Sequence, residues 1–160
     1  MKRVAANDPA SIYVLAGSYR HGINGVQQDL ARAIELYVRA ANLGCSKAHI
    51  FLGGICYQMG DMKKVKFHLK AAAMLGHEIA RCNLGVMEIN SGNIEQAVKH
   101  WTIAASAGEY KAMGQLRTFF EKGCVGRESI KLILAAYNSS CAEMRSEARD
   151  AYIQYKVDTI

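Results

Sequence analysis

The apolar positions of this chain fall into a stripe that is written three times. Ala33, Tyr37, Ala40 and Ala41 form the first set, Val65, Leu69, Ala72 and Ala73 the second, and Ala97, Trp101, Ala104 and Ala105 the third. Spacing of i, i+4, i+7 and i+8 places each set on one face of a helix. Successive sets stand 32 residues apart. A polar residue leads each of them, Asp29, Asp61 or Asn93. Both residue types cap a helix by accepting a bond from a first-turn amide. A glycine closes each set, in the phrases AANLG (40–44), AAMLG (72–76) and AASAG (104–108). That is where a chain leaving a helix turns left-handed.

A second helix precedes each of these. AHIFLGGIC (48–56) and ARCNLGVME (80–88) align at the same interval without a gap, so that Ala48/Ala80, Leu52/Leu84 and Gly53/Gly85 coincide. The short joints MGD and SGN lead into the next helix. An earlier copy has Leu15, Ala16 and Tyr19 in the same places and a longer joint, RHGINGVQQ (20–28), with Asp8 and Pro9 as a helix start. A more degenerate copy follows, with Ala112, Leu116 and Phe120, then Ser129, Ile133, Ala136 and Tyr137. There Arg117 replaces the glycine of the first helix and Ser140 the closing one. One further step reaches Ala148 and Tyr152, so AEMRSEARDAYIQY is expected to be a charged capping helix.

The expectation is an all-α fold of about four helix-turn-helix repeats with a period of 32–37 residues, spanning 8–44, 45–76, 77–108 and 109–140. A cap helix at 142–157 completes one domain over residues 1–160. Helices approach to about 8–10 Å only through small contact residues. Ala16, Gly53 and Gly85 supply them within a repeat, and the Ala-Ala pairs between repeats. One helix pair cannot bury both its faces, so such repeats stack.

Composition narrows the function rather than the fold. No apolar run reaches the length of a membrane helix, and the opening MKRVAANDPAS has no apolar core of a signal peptide. Cys45, Cys56, Cys82, Cys124 and Cys141 form no CxxC pair and leave one over, which predicts reduced thiols in an intracellular, cytoplasmic setting. The formal charge of +6 suits an acidic protein, a membrane surface or RNA without choosing among them.

At these residues the chain resembles the Sel-1-like repeat family, kin of the tetratricopeptide repeats. The shared pattern is Ala-x-x-x-Leu-Gly, a joint, Asp, a central Ala and aromatic, then Ala-Ala-x-x-Gly. The joint with Gly22, Gly25, Val26 and Asp29 is the Sel-1-like form, whereas the second and third repeats have a short, tetratricopeptide-like joint. The segment GHEIARCNLGVMEINSGNIEQAVKHWTIAASAG also resembles repeat proteins of the algal and protist type. The resemblance covers about residues 8–140 and implies a right-handed α-solenoid. It implies a scaffold or adaptor for protein partners, without catalysis and without a cofactor.

In such solenoids the first helix of each repeat lines the concave groove. The face opposite the packing residues then nominates Tyr13 and Arg20, with Gly17 and His21, in the first repeat. It nominates Lys47, Ile50 and Tyr57, with Gly54 and Gln58, in the second, and Cys82, Val86, Ile89 and Asn90, with Ile79, in the third. Lys111, Thr118, Glu121 and Lys122 hold the equivalent places in the fourth. The middle of this face is more apolar than a solvated one, which suits protein binding. The run KKVKFHLK (63–70) offers the alternative of an acidic or nucleic-acid surface, with Phe67 and Leu69 turned partly inward. Against nucleic acid, Tyr13, Ile50, Cys82 and Gly114 do not form a one-base-per-repeat code. The five histidines are scattered without the i, i+4 spacing of a metal site, and no catalytic triad, carboxylate pair or phosphate loop is written. Glu88 falls on the packing position held elsewhere by Tyr19, Cys56 and Phe120, so it is expected to find a partner on a neighbouring helix or a route to the groove.

Overall fold

The computed structural model describes residues 8–157, with side chains through Glu147 apart from Ser146. All regular structure among these residues is helical: α1 (Pro9–His21), α2 (Leu30–Asn42), α3 (Ser46–Gln58), α4 (Met62–Met74), α5 (Glu78–Asn90), α6 (Ile94–Ser106), α7 (Tyr110–Glu121) and α8 (Arg127–Val157). The chain divides into two compact bodies, Met1–Leu84 and Gly85–Ile160. In the first, α1 packs on α2, α2 on α3 and α3 on α4; in the second, α6 packs on α7 and α8, and α7 on α8.

The repeated phrases form identical turns. The amide of Gly44 bonds the Ala41 carbonyl at 2.9 Å and that of Cys45 the Ala40 carbonyl at 3.0 Å. Gly76 and His77 do the same to Ala73 and Ala72, and Gly108 and Glu109 to Ala105 and Ala104. This double closure satisfies the last carbonyls of the helix and needs a left-handed residue, which Gly44, Gly76 and Gly108 provide at φ +89°, +84° and +89°. The Ala-Ala pairs are therefore both the close-packing surface and the acceptors of the turn, and all six alanines are buried. Asp8, Asp29 and Asp61 accept from the amides of Ser11, Arg32 and Lys64, as capping residues should.

Asn93 stands at the same place on α6 but makes no capping bond with its side chain. Its amide instead donates to the carboxylate of Glu88 at 2.8 Å. Glu88 is buried, and the cap residue of the next helix supplies the partner that a buried carboxylate requires. Cys56, at the equivalent packing position, is only half-buried.

The core of the first body joins Ile12, Ala16, Ala33, Leu36, Tyr37, Ala40, Ala41, Ala48 and Leu52. Phe67 does not turn inward as expected; it is 63% exposed. It lies two residues from both Val65 and Leu69, which are buried, and a two-residue step crosses to the opposite side of a helix.

The end of the chain also differs from expectation. The second helix of the fourth repeat and the cap are one continuous helix, α8. Ser140 occupies the place of the closing glycine, so nothing drives the backbone into a left-handed turn and the helical bonds continue. Its hydroxyl donates to the Ser106 carbonyl at the end of α6, at 2.6 Å, and a Cβ added at Gly108 would collide with Met144. Ala148 and Tyr152, expected on the packing face of the cap, lie outside the residues whose side chains are described.

Candidate partner-binding clefts

In the first body an aromatic ladder runs from α1 to α3. Tyr13 meets Tyr37 edge to face with centroids 5.4 Å apart, and Tyr37 stacks on Phe51 at 3.9 Å. Gly17 leaves ordinary van der Waals room beside the Tyr37 hydroxyl. Burial pushes the Tyr37 phenol above its usual range, against the opposing bond from Arg20. The Arg20 guanidinium lies 4.7 Å above the Phe51 ring. It thus makes a cation–π contact while the residue itself remains exposed.

Beside Arg20 opens a cleft of about 600 Å³. Ile50, Phe51, Gly54, Ile55 and Gln58 of α3 form one wall and Leu30, Ala33 and Ile34 of α2 the other. Leu30 is 57% exposed and Ile34 40%. Of the residues predicted for the groove, Arg20, Ile50, Gly54 and Gln58 come together here. Lys47 and Tyr57 are exposed on the same helix, and Tyr13 is half-buried in the ladder. Cys82 is 5% exposed and is not available to a partner; α5 is also buried at Ala80 and Leu84, so its covered face is wider than one stripe.

The pattern missed Phe51, Ile55, Leu30 and Ile34. Phe51 was legible, because Lys47, Phe51, Gly54 and Gln58 share the i, i+4, i+7, i+11 face of α3. The α2 residues were not, because they belong to a second helix and reach the cleft only through packing.

In the second body Val86 is 42% exposed, Ile89 half-buried and Asn90 exposed. A separate cleft of about 610 Å³ lies between α7, with Tyr110, Met113, Gly114 and Phe120, and α8, with Ile130, Leu134 and Tyr137. Of the residues predicted on α7, Glu121 lines it, and it pairs with Arg117 at 3.3 Å.

The histidines are not all scattered in space. His49 of α3 and His68 of α4 place their Nδ1 atoms 3.1 Å apart, with ring centroids at 5.4 Å. One ring must donate and the other accept. No group of three or more potential metal ligands occurs among the described residues. On α4, Lys63, Lys64 and Lys70 are exposed and Lys66 half-buried, and Lys64 pairs with Asp61 at 3.1 Å.

The Sel1 repeat pattern matches residues 9–45, 46–77 and 69–109. This chain belongs to the Sel1 repeat family. An F-box protein of Arabidopsis thaliana is 28% identical over 109 residues, covering 67% of this chain. The chain spans about a third of that relative, 31% of its length. A Sel1 repeat protein from Oxalobacter formigenes superposes with a TM-score of 0.64 at 25% identity, over 84% of this chain and 59% of that one. A protective antigen of uropathogenic Escherichia coli with an SLR fold gives 0.60 at 24% identity, over 86% of this chain and 34% of that one. The fold is accordingly an α-solenoid of Sel1 repeats. Sel1 repeat proteins are in general interaction scaffolds that bind proteins rather than catalysts. These relatives come from a plant and two bacteria, and the expected likeness to algal and protist repeat proteins gains no support from them. No helix among the described residues is long and apolar enough to cross a membrane.

Proposed function

We propose that this Sel1 repeat protein is a non-enzymatic scaffold that holds a segment of a protein partner on its inner helices, as a subunit of a larger assembly. The observation that carries this reading is the apolar cleft on α3, where the exposed Leu30 and Ile34 of α2 face the half-buried Ile50 and Ile55 of α3. The contact residues in the first body are Arg20 and Ile50 in the cleft and Lys47 and Tyr57, exposed on the same helix as Ile50, and Val86, Ile89 and Asn90 serve separately in the second. The five free thiols favour a reducing, cytoplasmic setting.

Affinity capture followed by reconstitution with the purified partner tests it. Ile50→Asp should leave the helical circular dichroism intact and abolish the reconstituted complex. A complex that survives both Ile50→Asp and Ile89→Asp removes the inner-helix reading.

A further inference from the structure

The cleft on α3 carries two features that narrow its occupant. The first is Gly54. A glycine inside a helix weakens it relative to alanine, and its neighbour Gly53 has a packing reason, since a Cβ there would sit 3.4 Å from His68. Gly54 has none: a Cβ there would meet no atom within 4 Å. The helix tolerates this weakness at a position that lines the cleft, and bare backbone of this kind permits close approach by another chain.

The second feature is charge. Neither α1 nor α3 contains an aspartate or glutamate, and their charged residues are Arg20 and Lys47, with His21 and His49; on α2, the other wall, Glu35 is paired with Arg32 and Asp29 caps the helix. Arg20 is the charged residue lining the cleft. Its guanidinium lies over the Phe51 ring, and no ion pair to it occurs among the described residues. A planar fork seated on an aromatic ring beside an apolar slot suits a carboxylate, which it can bind with two parallel hydrogen bonds.

We infer that the cleft receives an acidic, aliphatic-anchored peptide segment of a protein partner. Its backbone passes over Gly54, one aliphatic side chain enters between Ile50, Ile55 and Ile34, and an adjacent Asp or Glu carboxylate meets Arg20. This rests on the scaffold reading and adds the chemistry of the partner.

Short fluorescein-labelled peptides with leucine and glutamate at varied spacing test it by fluorescence anisotropy, each beside a twin with glutamine for glutamate and a twin with serine for leucine. The expected result is saturable binding by members of the leucine–glutamate set. Affinity should drop by about 10-fold or more in the glutamine twin and in Arg20→Gln, with partial recovery in Arg20→Lys. Binding should vanish in Gly54→Leu, which raises helix propensity and fills the slot without touching the core. If the glutamine twins bind equally well and Gly54→Leu still blocks them, the acidic occupant is wrong and the scaffold reading stands. If binding persists in Gly54→Leu, both the occupant and its place in the cleft are wrong. No binding by any peptide of the set likewise overturns the acidic occupant, while the Ile50→Asp reconstitution judges the scaffold reading on its own.

Discussion

His49 and His68 form a clasp between α3 and α4 that holds only while at least one ring is neutral. Their Nδ1 atoms face each other at 3.1 Å, so two imidazolium rings would set donor against donor and charge against charge. Burial holds the His49 pKa below 6.5, opposed by a bond to the Ala41 carbonyl. Burial also lowers His68, and the neighbouring His49 lowers it further. The unfolded chain therefore takes up protons near pH 6.5 that the folded chain refuses. Stability is retained above that pH and is lost as pH falls through the window between 6.5 and the lower folded values. Urea unfolding followed from neutral to mildly acid pH should show this loss, with a flatter profile in His68→Gln. An unchanged slope in that variant removes the clasp from the acid response. Asn93→Ala takes a donor from the buried Glu88 carboxylate and should cost about 1–3 kcal/mol in chemical denaturation. Asp61→Ala, which removes the side-chain cap of α4, should lower the midpoint of thermal unfolding.

Glycines within the helices divide by what faces them. A Cβ at Gly85 would run into the indole of Trp101, a rigid ring that is 1% exposed. Overpacking of about 3 kcal/mol, less about 1 kcal/mol of regained helix propensity, leaves Gly85→Ala destabilised by about 2 kcal/mol. Gly54→Ala meets nothing and should gain about 0.5–1 kcal/mol. Thermal melts of the two variants should move in opposite directions; a rise for Gly85→Ala would mean that α5 and α6 separate at low cost. The contrast also marks how far the sequence could be read. Elements defined by local chemistry were legible: the capping aspartates, the closing glycines and the alanine stripes all depend on residues a few positions apart. The break after Ser140 was anticipated from the ruler alone, although the residue that makes such a break was missing. The His49–His68 contact and the α2 wall of the cleft depend on how neighbouring helices cross, and no spacing within one helix encodes that.

For the molecule as a whole, excess positive charge and apolar clefts make different demands on salt. The chain has 20 lysines and arginines against 14 acidic residues. Several of the acids are spent in exposed pairs three or four residues apart, such as Arg32–Glu35, Lys99–Glu95 and Lys131–Glu128, which contribute little to stability. Contact with a phosphate backbone through the α4 lysines would release counterions, and affinity would fall by orders of magnitude from low to moderate salt. A peptide anchored by aliphatic side chains and one carboxylate loses only the screened part of a single ion pair, because burial of apolar area does not weaken with salt. Partner affinity measured across that range should therefore change by no more than about 10-fold, and Lys63→Glu with Lys70→Glu should leave it nearly intact. A collapse with salt, or loss of binding in the lysine double variant with Gly54→Leu unaffected, would move the working surface from α3 to α4.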